Sequence, residues 1–432
     1  MDKNLQRSKY EVDMCHGPLL KKIITYSLPL IFTGLLQLLY NAADIIVVGR
    51  FASSTALAAV GSTSSLVNLT VNLILGVIVG AFGFFASRTM LEWMDSPAEV
   101  LEQSTLYLRI FFLSIPASMV YNFGASILRA VGNTRQPLYY LSIAGVINVI
   151  LNLVLVIRFH LGVAGVAIAT VISQYISAGL IILCLMRTEG CLQFHPKQLA
   201  LKPDKVWAIL RIGLPAGLQS TVFSISNVLI QSSINSFGAL AMAGSAAASN
   251  LEGFIYTAMN AISQAALAFV GQNVGGRQYH RIHRITWICL SVVFLVGVVM
   301  SAAFLAADQF LLEIYLPDDP AAVEYGIQRM FMVNTVYFFM GFIDVMVASM
   351  RGMGSSFTPM VVVLCGACGL RIVWIYTIFA ANRTLEMLYL SYPVSWIVTF
   401  LVELAFYFVV YRRLMARHKG ETELQEADLA QS

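Results

Sequence analysis

Long apolar runs separated by short polar loops dominate the chain. A helix needs about 20 mostly apolar residues to cross the hydrocarbon of a bilayer. Runs of that kind fall near 22–49, 104–125, 138–158, 161–186, 207–236, 246–270, 285–306, 328–349, 358–380 and 387–411, and an irregular eleventh covers about 56–91. Lipid satisfies no backbone hydrogen bonds, so each run is predicted to be a helix. The expected fold class is all-α and polytopic. Composition agrees: 58% of the 432 residues are apolar and 12% charged, against about 25% charged in soluble domains.

Charge changes the picture by its placement. The net +4 is small and gives no reason to expect nucleic acid as a partner. Lysine and arginine mark the cytoplasmic loops. They gather in the N-terminal arm (Lys3, Arg7, Lys9, Lys21, Lys22), the middle linker (Arg187 to Arg211), the turns holding Arg129, Arg135, Arg277, Arg281 and Arg284, and the tail from Arg412. Acidic loops at Asp95–Glu99 and Asp318–Glu324 belong to the other side. Both termini are therefore expected in the cytoplasm and the chain in the plasma membrane.

Four signposts recur in the same order. Ser27-Leu28-Pro29 returns as Gly213-Leu214-Pro215, ALAAVG at 56–61 as ALAMAG at 239–244, DSPAEV at 95–100 as DDPAAV at 318–323, and RAVGNTRQP at 129–137 as RGMGSSFTP at 351–359. They predict two parallel six-helix repeats. The expected division is an N-terminal lobe over 1–190, a cytoplasmic linker over 191–206, a C-terminal lobe over 207–415 and a disordered polar tail over 416–432. Gly61 lies 36 residues before Pro97, whereas Gly244 lies 76 before Pro320. The first repeat thus lacks 40 residues, about one helix, which leaves roughly eleven. A single helix across 62–91 also sets a topological conflict. A re-entrant segment, a frustrated neighbouring helix or a damaged copy would each resolve it.

GPLLKKIITYSLPLIFTGLLQLLYNAADIIVVGRF, RAVGNTRQPLYYLSIAGVINVILNLVLV, GVAGVAIATVISQ and NLEGFIYTAMNAISQAALAFVGQNVGG resemble the multidrug and toxic compound extrusion (MATE) transporters, of DinF-like or NorM-like type. The resemblance runs over nearly all of 17–415. It implies export of organic cations, drugs or metabolites in exchange for protons or sodium, with no cofactor and with a monomer as the working unit. A lipid-linked precursor flippase of the same superfamily and a transport-incompetent remnant are the competing readings. An intramembrane enzyme is not expected, because the six histidines fall in loops or tails and no metal set is present.

A carboxylate inside a span costs about 2.5 kcal/mol or more, which makes it a functional candidate. Asp44 matches the family's acidic position on the first helix; an interfacial carboxylate near the helix end is the alternative. Asn148 and Asn152, four apart on one helical face, join Thr170 and Gln174 as cation-coupling candidates. The family pattern often has an acid where Asn152 stands. Helix–helix hydrogen bonding is the plainer role for these amides. Glu252 resembles the NorM-like glutamate, or caps the outer start of its helix, and Asp344 sits about one turn from the matching aspartate. With Tyr40, Asn41 and Gln37 they are the substrate-cavity candidates. Arg371 is expected to pair with a carboxylate or to snorkel. The resemblance implies that Pro29 is a bending point coupled to Asp44; an ordinary proline kink is the alternative. Cys365 and Cys368 read as small core residues.

Overall fold

The computed structural model describes residues 12–51, 76–93, 98–188, 193–194, 203–316 and 320–431, with backbone alone over 39–51, 76–80, 93, 98–100, 203–206, 208–209, 212, 239 and 417–431. Every regular element among these residues is helical. Among the described residues seven helices are long and apolar enough to cross a membrane, or nine where each of two bent pairs is one span.

In the first half α1 is Leu19–Phe51, α2 Gly76–Trp93, α3 Ala98–Phe112, α4 Ile115–Ala130, α5 Arg135–Leu153 with a π-helical end at Val154–Arg158, and α6 Gly162–Arg187. In the second half α7 is Pro203–Asn235, α8 Ala239–Gly275, α9 Tyr279–Ala306, α10 Asp308–Tyr315, α11 Pro320–Asn334 and α12 Phe338–Gly352. Then follow α13 Phe357–Val363, a π segment Leu364–Gly369, α14 Leu370–Trp374, a second π segment Ile375–Phe379 and α15 Leu385–Gln431.

The repeat is visible element by element. Helices α1 and α7 are 33 residues each, with Pro29 and Pro215 inside them. The runs read from sequence as single spans at 104–125 and 328–349 are bent pairs, α3–α4 by 43° and α11–α12 by 47°. Pro116 accounts for the first bend: it lies in the first turn of α4 and has no N–H to continue the ladder from α3. The second bend has no proline. Arg129 and Arg351 stand in the last turns of α4 and α12. Gly132 and Gly354 then turn the chain at φ +94° and +83°, a conformation that favours glycine.

Between the second and third signposts the copies differ. The second holds α8, 37 residues, α9, 28 residues, and the short α10. The first shows α2, 18 residues from Gly76. The expectation of one helix across 62–91 is met from 76 onward; its start at 62–75 lies outside the described residues. Helix α2 packs on α3 and α4 through Leu91, Leu108, Phe112 and Ile115.

The chain forms two compact units. One comprises residues 1–12 and 28–201, the other 13–27 and 202–432. The first turns of α1 therefore belong to the second unit. There the Met14 carbonyl accepts from Asn273 Nδ2 at 3.0 Å, the Gly17 carbonyl accepts from Arg281 Nη2 at 3.0 Å, and Tyr26 meets Phe269 edge-on at 5.6 Å. Helix α8 is the axis of that unit and packs against α9, α11 and α12. Gly244 allows the closest approach: a Cβ there would lie 2.1 Å from the Ala322 carbonyl oxygen. Small residues at such crossings are how membrane helices gain packing contact.

Helix α15 runs through the tail to Gln431, where Glu, Gln, Leu and Ala are strong helix formers. Two expectations need correction. His280 and His283 lie in α9 rather than a loop; His283 is ringed by Trp287, Tyr407, Phe408 and Tyr411. Cys365 is exposed, unlike buried Cys368, since the two lie on a π turn whose wider pitch separates their directions.

Candidate functional site

In the first unit, polar side chains spaced three and four apart on α4, α5 and α6 point inward from otherwise apolar helices. They line a cavity of about 230 Å³ together with Gln37 of α1; its walls include Ser118, Asn122, Asn148, Thr170, Ser173 and Gln174. Asn148 donates from Nδ2 to Ser173 Oγ at 3.4 Å, and Asn152 donates to Asn148 Oδ1 at 3.2 Å. Both amides are buried, Asn152 completely. Thr170 and Ser173 turn their hydroxyl hydrogens back to the carbonyls of Val166 and Thr170, which leaves oxygen lone pairs as the groups available to a guest. The helix passes into its π segment two residues beyond Asn152, and such insertions re-aim neighbouring side chains.

Five sequence candidates are thus placed: Gln37, Asn148, Thr170 and Gln174 share one cavity, and Asn152 lies behind Asn148. Asp44, Tyr40 and Asn41 fall on α1 where only the backbone is described, so their side chains lie outside the described residues. Pro29 is buried in an unbroken α1. Its ring removes the N–H that would bond the Thr25 carbonyl, and Thr33 Oγ1 donates to the Pro29 carbonyl at 2.7 Å.

In the second unit a polar stripe runs along α8 at three- and four-residue spacing: Ser245, Ser249, Glu252, Tyr256, Asn260 and Gln264. Glu252 lies well inside α8, so it is not a cap at the helix start. Its carboxylate receives Arg329 Nε and Nη2, each at 2.9 Å. The same guanidinium reaches Ser245 at 2.7 Å and Ser249 at 3.2 Å, and lies over Tyr389 and Tyr392 at 5.7 and 5.6 Å from the ring centroids. A planar fork matches a carboxylate in two bonds, and in a low-dielectric span neither charge is tolerable alone. Asp344 interacts with Tyr256 and Asn260, while its Oδ2 is buried without a hydrogen-bond partner among the described residues, and Asn260 is held in turn by Gln264 at 2.8 Å. Glu252 and Asp344 therefore share one unit and one polar stripe, but only Glu252 is closed into an ion pair.

Arg329 is the residue sequence reasoning missed. It lies 77 positions from Glu252, and a lone arginine in α11 carries no signal of its partner. The pairing expected of Arg371 is not found among the described residues. Its Nε donates to Ser395 Oγ at 3.0 Å and Nη1 to Asn227 Oδ1 at 3.4 Å. Tyr392 lies 4.4 Å away and Phe223 and Trp396 each 5.6 Å. Aromatic faces stabilise a desolvated guanidinium by about 2 kcal/mol, which is why it stays buried without a carboxylate. Among the described residues no cluster of three His, Cys, Asp or Glu is placed to hold a metal.

Comparison with known proteins agrees with this architecture. The chain is 26% identical over 385 residues to the probable multidrug resistance protein YpnP of Bacillus subtilis, covering 81% of this chain and 86% of that protein. It is 24% identical over 366 residues to the probable multidrug resistance protein YoeA of the same organism, covering 82% and 77%. Among solved structures, an outward-facing multidrug resistance MATE transporter of the MOP superfamily superposes with a TM-score of 0.85 at 18% identity, over 95% of this chain and 100% of that one. The MatE family model matches residues 29–80, 68–154 and 215–377. Its two matches in the first half overlap at 68–80, inside the stretch where the repeat is short. With most of its length so matched, this multi-pass helical chain belongs to the MatE family of multidrug efflux transporters.

Proposed function

We propose that this chain is a secondary active antiporter of the plasma membrane that exports an organic cation, a drug or a metabolite, in exchange for protons or sodium. It works as a monomer with both termini in the cytoplasm. The observation that carries this reading is the polar cavity of the first unit, enclosed by spans whose outer faces are apolar. In a bilayer, polar side chains that converge on a cavity mark a candidate substrate or ion pathway. Asn148, Asn152, Thr170 and Gln174 supply neutral oxygens suited to a hard cation. Asp44 supplies the carboxylate that takes a proton or completes a sodium shell. Pro29 lets α1 bend when Asp44 changes charge. In the first unit Tyr40, Asn41 and Gln37 contact the substrate; in the second Glu252 and Asp344 receive positive charge, and Glu252 must leave Arg329 to do so. The multidrug relatives support the substrate class.

Efflux-deficient bacterial cells expressing the chain provide the test. The wild type should lower accumulation of a fluorescent organic cation, and Asp44→Asn should abolish the effect at equal membrane abundance. Undiminished export by Asp44→Asn would reject the assigned role of Asp44.

A further inference from the structure

Glu403 is the buried acid that the reading above leaves unused. It lies on α15 within a candidate span, Leu385–Ala416, and has no solvent exposure. Neither carboxyl oxygen has a hydrogen-bond partner among the described residues. Of the charged and titratable groups on the elements packed against α15, Arg329 is bound to Glu252, and Arg371 and Cys368 lie on the α14 side. Asp344 interacts with Tyr256 and Asn260, with Oδ2 alone lacking a partner, whereas both oxygens of Glu403 lack one. Arg351 stands in the last turn of α12, the helix that packs most closely on α15, and its charge favours the ionised form of Glu403 without a hydrogen bond between them. Arg351 is committed elsewhere: Nη2 donates to Gln219 Oε1 at 2.6 Å, while its Nε is buried without a partner. Its charge also acts on Asp344, and among the described residues it forms a salt bridge with neither acid.

An ionised carboxyl in this position would lack both water and hydrogen bonds, which membrane spans do not tolerate. With a proton it is neutral and leaves Arg351 free to hold Gln219. Gln219 lies on α7, one turn beyond Pro215, where the helix ladder is already broken. We propose that Glu403 is a proton-binding site of the second unit and that Arg351 reports its charge to α7. Breaking the Glu403 O–H bond passes the proton to water on the face bearing the basic turns. The electron pair stays on the carboxylate, which draws Arg351 away from Gln219 and releases α7 at Pro215. Rebinding a proton reverses the exchange. The inference rests on the ion-coupled reading above for its use in transport, but the site itself does not.

Infrared difference spectroscopy of the purified full chain between neutral and alkaline pH tests the site. A C=O stretch of one protonated carboxyl, lost at alkaline pH in the wild type and missing in Glu403→Gln, is expected. No such band, or the same band in a folded Glu403→Gln, would overturn the proposal. The coupling to α7 is read separately, from a spin label on Leu218→Cys in a cysteine-free background. Label mobility should rise with pH in the wild type, stay at the low value in Glu403→Gln, and stay at the high value in Gln219→Leu. Identical pH curves in all three would overturn the link through Arg351. Gradient-driven export should fall about tenfold in Glu403→Gln, as expected when one charge-dependent step is removed. If wild-type export ignores every ion gradient, the antiport reading fails while the infrared and spin-label results still decide this one.

Discussion

Breaking the Glu252–Arg329 pair should destabilise the second unit more than any other single polar change described here. The guanidinium makes two bonds to Glu252 at 2.9 Å and one to Ser245 at 2.7 Å, and both side chains are at most 7% exposed. In Arg329→Met the carboxylate is left in a span without its partner, and removing one member of a buried pair costs about 3–5 kcal/mol. Two charge-assisted bonds at about 1.5–3 kcal/mol each give about 3–6 kcal/mol, which overlaps that range. Glu252→Leu should cost a similar amount by stranding the arginine. The double variant removes both charges, so its loss should fall short of the summed single losses by more than about 2 kcal/mol. Reversible unfolding in detergent, followed by helical circular dichroism, measures the cycle. Additive losses, or single losses under about 1 kcal/mol, would refute the reasoning and show that water or a movement of α11 reaches the pair.

Two glycines on α8 should behave oppositely. Gly244→Ala drives a Cβ to 2.1 Å from the Ala322 carbonyl oxygen, whereas nothing lies within 4 Å of a Cβ at Gly253. The first should lower stability by about 1–3 kcal/mol, the second leave it unchanged or raise it by up to about 1 kcal/mol, in the same unfolding assay. Asn148→Ala breaks the Asn152–Asn148–Ser173 chain and should cost about 0.6–1.7 kcal/mol, with a larger effect on driven export than on stability. Arg371→Lys should destabilise despite keeping the charge, because an ammonium cannot reach Ser395 and Asn227 together while lying flat on Tyr392; thermal unfolding with Arg371→Gln alongside checks it.

The spans and the duplication were legible because both are written in local pattern. Apolar length marks a helix wherever lipid is the solvent, and the signposts at Pro29, Gly61, Pro97 and Arg129 recur in order. The bend at Leu113–Ser114 could have been read from Pro116. Its partner at Thr335–Tyr337 could not, because no proline or glycine marks it and the fold alone imposes it. The α8 stripe was available from its three- and four-residue spacing, yet only Glu252 was picked from it. Arg329, Arg371 and Glu403 escaped correct reading for one reason: a buried charge is defined by what faces it. Those partners lie on other helices, at separations that no sequence pattern records. The polar set of the first unit was found from Asn148 and Asn152, where both members share a helix face.

The central claim is ion-coupled export, and purified protein in liposomes tests it most directly. An organic cation trapped with a fluorescent reporter should move against its own gradient when a proton or sodium gradient is imposed, and stop when that gradient is collapsed. Asp44→Asn in the same liposomes should carry the cation only downhill. Uphill movement that persists without either gradient, or no movement by the wild type under both, would contradict the account.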